Sequence, residues 1–197
     1  MTTIRTVAVI GAGQMGSGIA QVVAAGGYEV KLYDIAPDRV TLALGEIAAS
    51  LARRAARGLS SEAEAQAALQ RIAPVTTLAE AAKADMVIEA ASEEEAVKKG
   101  VFAELTPLLG PDTLLASNTS SISITRLASV TDRPERFIGL HFMKPAPVMK
   151  LVEIIRGIAT SAETHSAAVA FAESLGKTTT NAEDFPAFIV NRILMPM

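Results

Sequence analysis

Short apolar runs and longer stretches of helical spacing alternate from one end of the chain to the other. Val7–Ile10 is a continuous apolar run closed by glycine, the pattern of a parallel strand buried on both faces. Gln14–Ala25 carries apolar residues at helical spacing and stops at Gly26-Gly27. Glu29–Tyr33 reads as a second strand ending at Asp34. Pro37 opens a long helix to about Arg57, and Ser60 or Ser61 caps another to about Ile72. A short strand at Val75–Thr77 and a helix at Leu78–Ala82 follow. Strand and helix then alternate through Asp85–Ala90, Glu93–Leu109, Thr113–Ser117 and Ser123–Ala128. Strands at Phe137–His141 and Met149–Ile155 flank the proline-rich link Lys144–Pro147. Ala162–Leu175 reads as a helix, Lys177–Asn181 as a last strand, and Pro186 as the opening of a final helix. This βαβα rhythm predicts a doubly wound α/β fold, a mostly parallel sheet with helices on both faces. The alanine-rich stretch Ala43–Ala73 fits an antiparallel helix pair.

Composition narrows the function classes. With 50% apolar residues in 197, the chain can bury a core, so overall disorder is excluded. Without cysteine there is no disulfide framework, thiolate zinc site or cysteine nucleophile, and two histidines are too few for a His-rich metal site. A net charge of −3 argues against a nucleic-acid binder held by phosphate contacts. The apolar runs fall far short of the ~20 residues of a membrane span, and with no long apolar stretch or cleavage site before the first strand a signal peptide is not expected. A cytoplasmic chain with no metal, no membrane and no nucleic-acid partner is the expectation.

The first specific chemistry lies in Gly11-x-Gly13-x-x-Gly16, between a strand and a helix. Gly11 permits the tight turn, Gly13 lets a pyrophosphate approach the backbone, and Gly16 lets helix and strand pack closely. The helix start at Gln14 and Met15 offers N–H groups to phosphate. Asp34 ends the next strand 18 positions after Gly16, near the ~20-residue spacing of a carboxylate on the adenosine ribose. Asp34 would repel a 2′-phosphate and no arginine follows it, so NAD is favoured over NADP.

Other polar residues carry two readings each. His141 ends an apolar strand, where a lone histidine is either structural or a base. Glu153 sits inside Leu151-Val152-Glu153-Ile154-Ile155, where a carboxylate is costly unless paired. If the flanking strands return antiparallel, the two fall nearly opposite each other, and a carboxylate beside an imidazole equips the ring as a base. The cluster Ser117–Ser121 follows a strand, where open α/β sheets bind ligands, and it can also cap the next helix. Glu93, Lys98 and Asn191 are compatible with solvated polar positions. Arg53, Arg54 and Arg57 form either a solvated face or a clamp for phosphates, to which arginine forks are suited.

Five segments together carry a family resemblance: GAGQMGSGIAQ, IEAASEEEAVKK (88–99), ASNTSSISIT (116–125), RPERFIGLHFMKPAPVMKLVEIIRG (133–157) and DFPAFIVNRIL (184–194). The chain resembles the N-terminal domain of the 3-hydroxyacyl-CoA dehydrogenases. The resemblance implies a Rossmann-type domain over residues 1–185. Residues 186–197 would begin a helical domain that this chain otherwise lacks. It implies NAD as cofactor, held by Gly11, Gly13, Gln14, Met15, Gly16, Asp34, Glu93, Lys98 and Asn118. It assigns His141 and Glu153 as the catalytic dyad, Ser120 and Asn191 as partners of the substrate oxygen, and Arg53, Arg54 and Arg57 as contacts of the CoA phosphates. The expected activity is hydride transfer between NAD and C3 of a 3-hydroxyacyl-CoA. A free 3-hydroxy acid dehydrogenase and a catalytically idle NAD-binding module are the alternatives. The family favours Asn, Thr and Gly where Lys144, Phe185 and Ala187 stand here. Because the final helix is apolar nearly all round, a weak homodimer through it, or aggregation, is expected, together with near-normal NAD binding and reduced turnover.

Overall fold

The fold is known from a computed structural model, which describes residues 3–194. Eight strands form one sheet: β1 (Thr6–Ile10), β2 (Glu29–Tyr33), β3 (Ile72–Pro74), β4 (Met86–Glu89), β5 (Leu114–Ser117), β6 (Phe137–Phe142), β7 (Leu151–Arg156) and β8 (Thr178–Glu183). Their order is β3-β2-β1-β4-β5-β6-β7-β8. The first six are parallel, β7 runs antiparallel to β6, and β8 runs parallel to β7. This is the doubly wound, mostly parallel sheet expected from the alternation. The order reverses between β1 and β4, the switch point at whose carboxyl end such sheets bind ligands.

The helices are α1 (Gln14–Ala25), α2 (Pro37–Ala56), α3 (Glu62–Gln70), α4 (Leu78–Ala81), α5 (Glu95–Leu105), α6 (Ile124–Ala128), α7 (Ala162–Ser174) and α8 (Val190–Leu194). They bury one apolar cluster on each sheet face. Val7, Val9 and Ile138 pack with Ile19, Ile47 and Phe171 on one side. Ala8, Ile10 and Leu115 pack with Phe102, Leu127 and Phe188 on the other. Alternate residues of β1 thus point to opposite faces, and both faces are covered, which is why the run Val7–Ile10 contains no polar residue.

Local chemistry moves several boundaries from their expected places. The third strand lies at Ile72–Pro74 rather than at Val75–Thr77, and α3 stops at Gln70. Thr77 instead caps α4, exchanging bonds with Glu80 in a capping box, which takes it out of the sheet. Pro74 is tolerated because β3 is an edge strand. Ser61, not Ser60, caps α3, again with a capping box, to Glu64. Helix α5 starts at Glu95 rather than Glu93. It gives way to a 3-10 turn at Thr106–Leu108, around Pro107. The final helix does not open at Pro186. Ala187 and Phe188 have φ of +65° and +49°, so the regular helix begins only at Val190. Phe188 is buried ahead of it, and Ile193 and Leu194 are exposed. The remainder of the expected helix, residues 195–197, lies outside the described residues.

Candidate active site

The glycine loop is built by close contacts. Gly11 has φ +104°, and a Cβ there would stand 2.6 Å from the carbonyl oxygen of Ala90. A Cβ on Gly16 would stand 1.7 Å from the carbonyl oxygen of Gly11. Gly13 differs, because a Cβ there meets nothing within 4 Å. Its glycine keeps open the approach to the start of α1, whose N-terminus has no side-chain cap. Open space before an uncapped helix N-terminus suits the pyrophosphate of a dinucleotide. Gln14 and Met15 open that helix. Asp34 lies beside the loop, its Oδ2 accepting Ala12 N–H at 2.8 Å and its Oδ1 accepting Ala36 N–H at 2.9 Å. Asp34 therefore ties the glycine loop to the turn after β2, with lone pairs left for ribose hydroxyls.

Strands β6 and β7 bring His141 and Glu153 into register opposite each other. His141 Nδ1 is 2.7 Å from Glu153 Oε2. Glu153 is fully buried, and its second oxygen, Oε1, accepts the backbone N–H groups of Ile189 and Val190 at 3.0 and 2.9 Å. Both carboxylate oxygens are thus satisfied, as a buried charge requires. Phe188 packs 6.0 Å from the imidazole, centroid to centroid. Asn118 Oδ1 accepts Phe142 N–H at 2.9 Å, pinning the end of β6 to the loop after β5.

Ser120 stands on that loop. Its N–H and its hydroxyl both donate to Glu93 Oε1, at 2.7 and 3.0 Å. Its carbonyl accepts Asn191 Nδ2 at 3.1 Å. Partial burial pushes the Glu93 carboxyl up. The hydrogen bonds from Thr119 and Ser120 and the charge of Lys98 outweigh it, so the group lies below its ordinary range. Lys98 is buried and placed between Glu89 and Glu93. Its ammonium is engaged by those two carboxylates.

The three arginines do not join this cluster. Arg53 and Arg57 are exposed at the end of α2. Arg54 is half-buried and faces Lys177, whose amine is lowered from its usual value by burial and then by the Arg54 charge. Lys177 Nζ donates to the carbonyls of Ala146 and Met149 at 2.6 and 2.9 Å, fastening the proline-rich link. Lys144, on that link, is exposed. Among the described residues, no group of three acidic or histidine side chains is arranged to hold a metal ion, and no helix is long and apolar enough to cross a membrane.

Sequence reasoning missed Glu89, Lys177 and the two backbone donors to Glu153. The signal for Glu89 was present: a carboxylate ends the apolar strand Met-Val-Ile-Glu, the same anomaly that marks Glu153. Nothing in the sequence marks the backbone donors, which depend on the left-handed turn at Ala187 and Phe188.

Residues 6–185 match the family model of the 3-hydroxyacyl-CoA dehydrogenase NAD binding domain. The chain belongs to this family. As a 3-hydroxyacyl-CoA dehydrogenase NAD-binding domain, it is 53% identical over 194 residues to the 3-hydroxybutyryl-CoA dehydrogenase of Bradyrhizobium diazoefficiens, covering 98% of this chain and 66% of that protein. It is 48% identical over 196 residues to the 3-hydroxyadipyl-CoA dehydrogenase of Escherichia coli, covering 41% of that larger protein. The crystal structure of (S)-3-hydroxybutyryl-CoA dehydrogenase from Ralstonia eutropha superposes with a TM-score of 0.96 at 45% identity, covering 99% of this chain and 69% of that one. The chain therefore spans about two thirds of the shorter relatives. The cofactor of this oxidoreductase family is NAD, and the open cradle at Gly13 beside Asp34 fits it.

Proposed function

We propose that the chain is the cofactor-binding, base-bearing part of an enzyme that interconverts a 3-hydroxyacyl-CoA of the 3-hydroxybutyryl type and its 3-ketoacyl-CoA. The observation that carries this reading is the 2.7 Å contact of His141 Nδ1 with the fully buried Glu153, on a sheet whose switch point holds a dinucleotide loop. NAD, when bound, accepts or returns the hydride of C3. Gly13, Gln14, Met15 and Asp34 would hold its phosphates and adenosine ribose, with Glu93, Lys98 and Asn118 towards the nicotinamide end.

The protein's own residues do the proton work. In the oxidation direction the C3–H bond breaks with its electron pair and the C3–O bond becomes a carbonyl. The hydroxyl proton passes to His141 Nε2, the nitrogen not bonded to Glu153. Glu153 fixes the tautomer and stabilises the charge the ring acquires. Ser120 and Asn191, joined through the Ser120 carbonyl, would position the substrate oxygen; the second Asn191 N–H, and the Ser120 hydroxyl once it turns from Glu93, would stabilise negative charge on it. Arg53, Arg54 and Arg57, with Lys177 behind Arg54, supply the cationic end that recognises CoA phosphates. The exposed Ile193 and Leu194 are the surface of a weak self-association, readable by sedimentation.

The test is turnover of acetoacetyl-CoA with NADH, followed at the NADH absorbance. The reading expects turnover that is lost in His141→Ala while NADH binding is kept. NADH binding without turnover would make the chain an idle binding module. Turnover of free 3-hydroxybutyrate in preference to the thioester would move it to the free-acid class.

A further inference from the structure

Glu89 lies outside the catalytic reading, yet it is a fully buried carboxylate that holds a buried ammonium. It ends β4 with 0% exposure, and Lys98, on α5, is 1% exposed. Lys98 Nζ donates to Glu89 Oε1 and Oε2 at 2.8 and 3.0 Å. Glu89 Oε1 also accepts Ala91 N–H at 2.7 Å, and Oε2 accepts the Ser117 hydroxyl at 2.6 Å. On its far side the same ammonium lies 3.3 Å from Glu93 Oε2. The other Glu93 oxygen, Oε1, takes three donors: the Thr119 hydroxyl, the Ser120 N–H and the Ser120 hydroxyl. A chain of charged and hydrogen-bonded groups therefore runs from Glu89 through Lys98 and Glu93 to Ser120.

The charges decide what this chain does. Two carboxylates share one buried ammonium, and the closer, two-oxygen contact goes to Glu89. That contact holds Lys98 on the β4 side, with its ammonium 3.3 Å from Glu93 Oε2. Without the Glu89 charge the ammonium keeps only the long contact to the Ala91 carbonyl, at 3.5 Å, and one carboxylate, Glu93, and is drawn onto that carboxylate. Glu93 then turns, and Ser120, bonded twice to Glu93, moves with it.

We propose that Glu89 is a positioning residue, whose carboxylate sets, through Lys98 and Glu93, where the Ser120 hydroxyl stands. The inference rests on the reading of Ser120 as the partner of the substrate oxygen for its catalytic consequence, and on geometry alone for the positioning itself. The two are therefore tested separately. In the ligand-free chain, the amide resonance of Ser120 should move in Glu89→Gln. In a Glu93→Gln background, where the chain of contacts is already cut, adding Glu89→Gln should leave it in place. A Ser120 resonance unmoved by Glu89→Gln, or moved equally in both backgrounds, overturns the proposal. If Glu89→Gln does not fold, Glu89→Gln combined with Lys98→Met removes the buried pair as a unit, and the same comparison is made with that variant.

Turnover supplies the second readout. Glu89→Gln should lower kcat for acetoacetyl-CoA reduction at saturating NADH by ~10–100-fold, since small misplacements of a reacting group cost about that much. In a Ser120→Ala background the same change should cost less than about 3-fold, because coupled residues are not additive. Equal losses in both backgrounds would leave Glu89 a purely structural residue. A wild-type chain that binds NADH but does not turn over defeats the proposed function. The resonance comparison still decides the role of Glu89.

Discussion

His141 and Glu153 are direct cross-strand partners on β6 and β7, twelve residues apart in the chain and 2.7 Å apart at their side chains. The same carboxylate reaches the backbone of Ile189 and Val190 with its other oxygen. One buried charge thus orients the imidazole and anchors the start of the helix that carries Asn191. His141→Ala should lower turnover by roughly 10²–10⁴-fold, the usual contribution of a general base, while NADH affinity holds. Glu153→Gln should lower kcat and alter its pH profile. A Glu153→Gln enzyme with the wild-type rate and pH profile would count against the pairing.

Asp34 should select NADH over NADPH. Measured dissociation constants are expected to favour NADH, and Asp34→Arg should narrow the gap. That change also strips acceptors from Ala12 and Ala36 N–H, so a stability loss of about 1–3 kcal/mol should accompany it. Wild-type binding of NADPH as tight as that of NADH would remove the assignment.

The cationic end of α2 should read phosphate. Replacing Arg53, Arg54 and Arg57 by Gln should raise KM for acetoacetyl-CoA in a salt-sensitive way and leave a short pantetheine thioester nearly unaffected. Equal effects on both substrates would identify the patch as a solvated face.

Glu93 gives a pH signature to the fold. Its carboxyl lies below the ordinary 4.5 because, against the desolvation that pushes it up, it accepts from Thr119 and Ser120 and faces Lys98. A depressed folded value means that the unfolded chain binds the proton more tightly. The stability this group contributes is present above pH 4.5 and is lost as pH falls through the folded value. Urea midpoints taken from about pH 5 down to about pH 3 should fall more steeply for the wild type than for Glu93→Gln. Parallel falls would show that the carboxyl contributes nothing to acid stability.

Ala187 holds φ +65°, a conformation that disfavours residues with a Cβ. Ala187→Gly should relieve that cost, partly offset by the greater freedom of glycine in the unfolded chain. A net gain of roughly 0.5–1 kcal/mol in denaturant unfolding is expected. A loss would show that the turn carries no strain.

The sheet was legible in the sequence because its signals are local. A run such as Val7–Ile10 is apolar throughout because both its faces are covered, and Gly11, Gly13 and Gly16 mark a turn whose geometry excludes side chains. Glu153 was legible as a charge that needed a partner, and the short link at Ala146–Pro147 placed His141 opposite it. The boundaries that moved did so where a side chain preferred a different local partner, as Thr77 prefers Glu80 to the sheet. What only the tertiary structure decided is which distant groups share a charge. Lys98 read as solvated from its neighbours in sequence, yet β4, α5 and the loop after β5 converge to bury its ammonium between Glu89 and the half-exposed Glu93 and to hang Ser120 from the latter. Burial of that kind belongs to the packing of elements, because the cost of removing a charge from water and the partner that offsets it come from different parts of the chain.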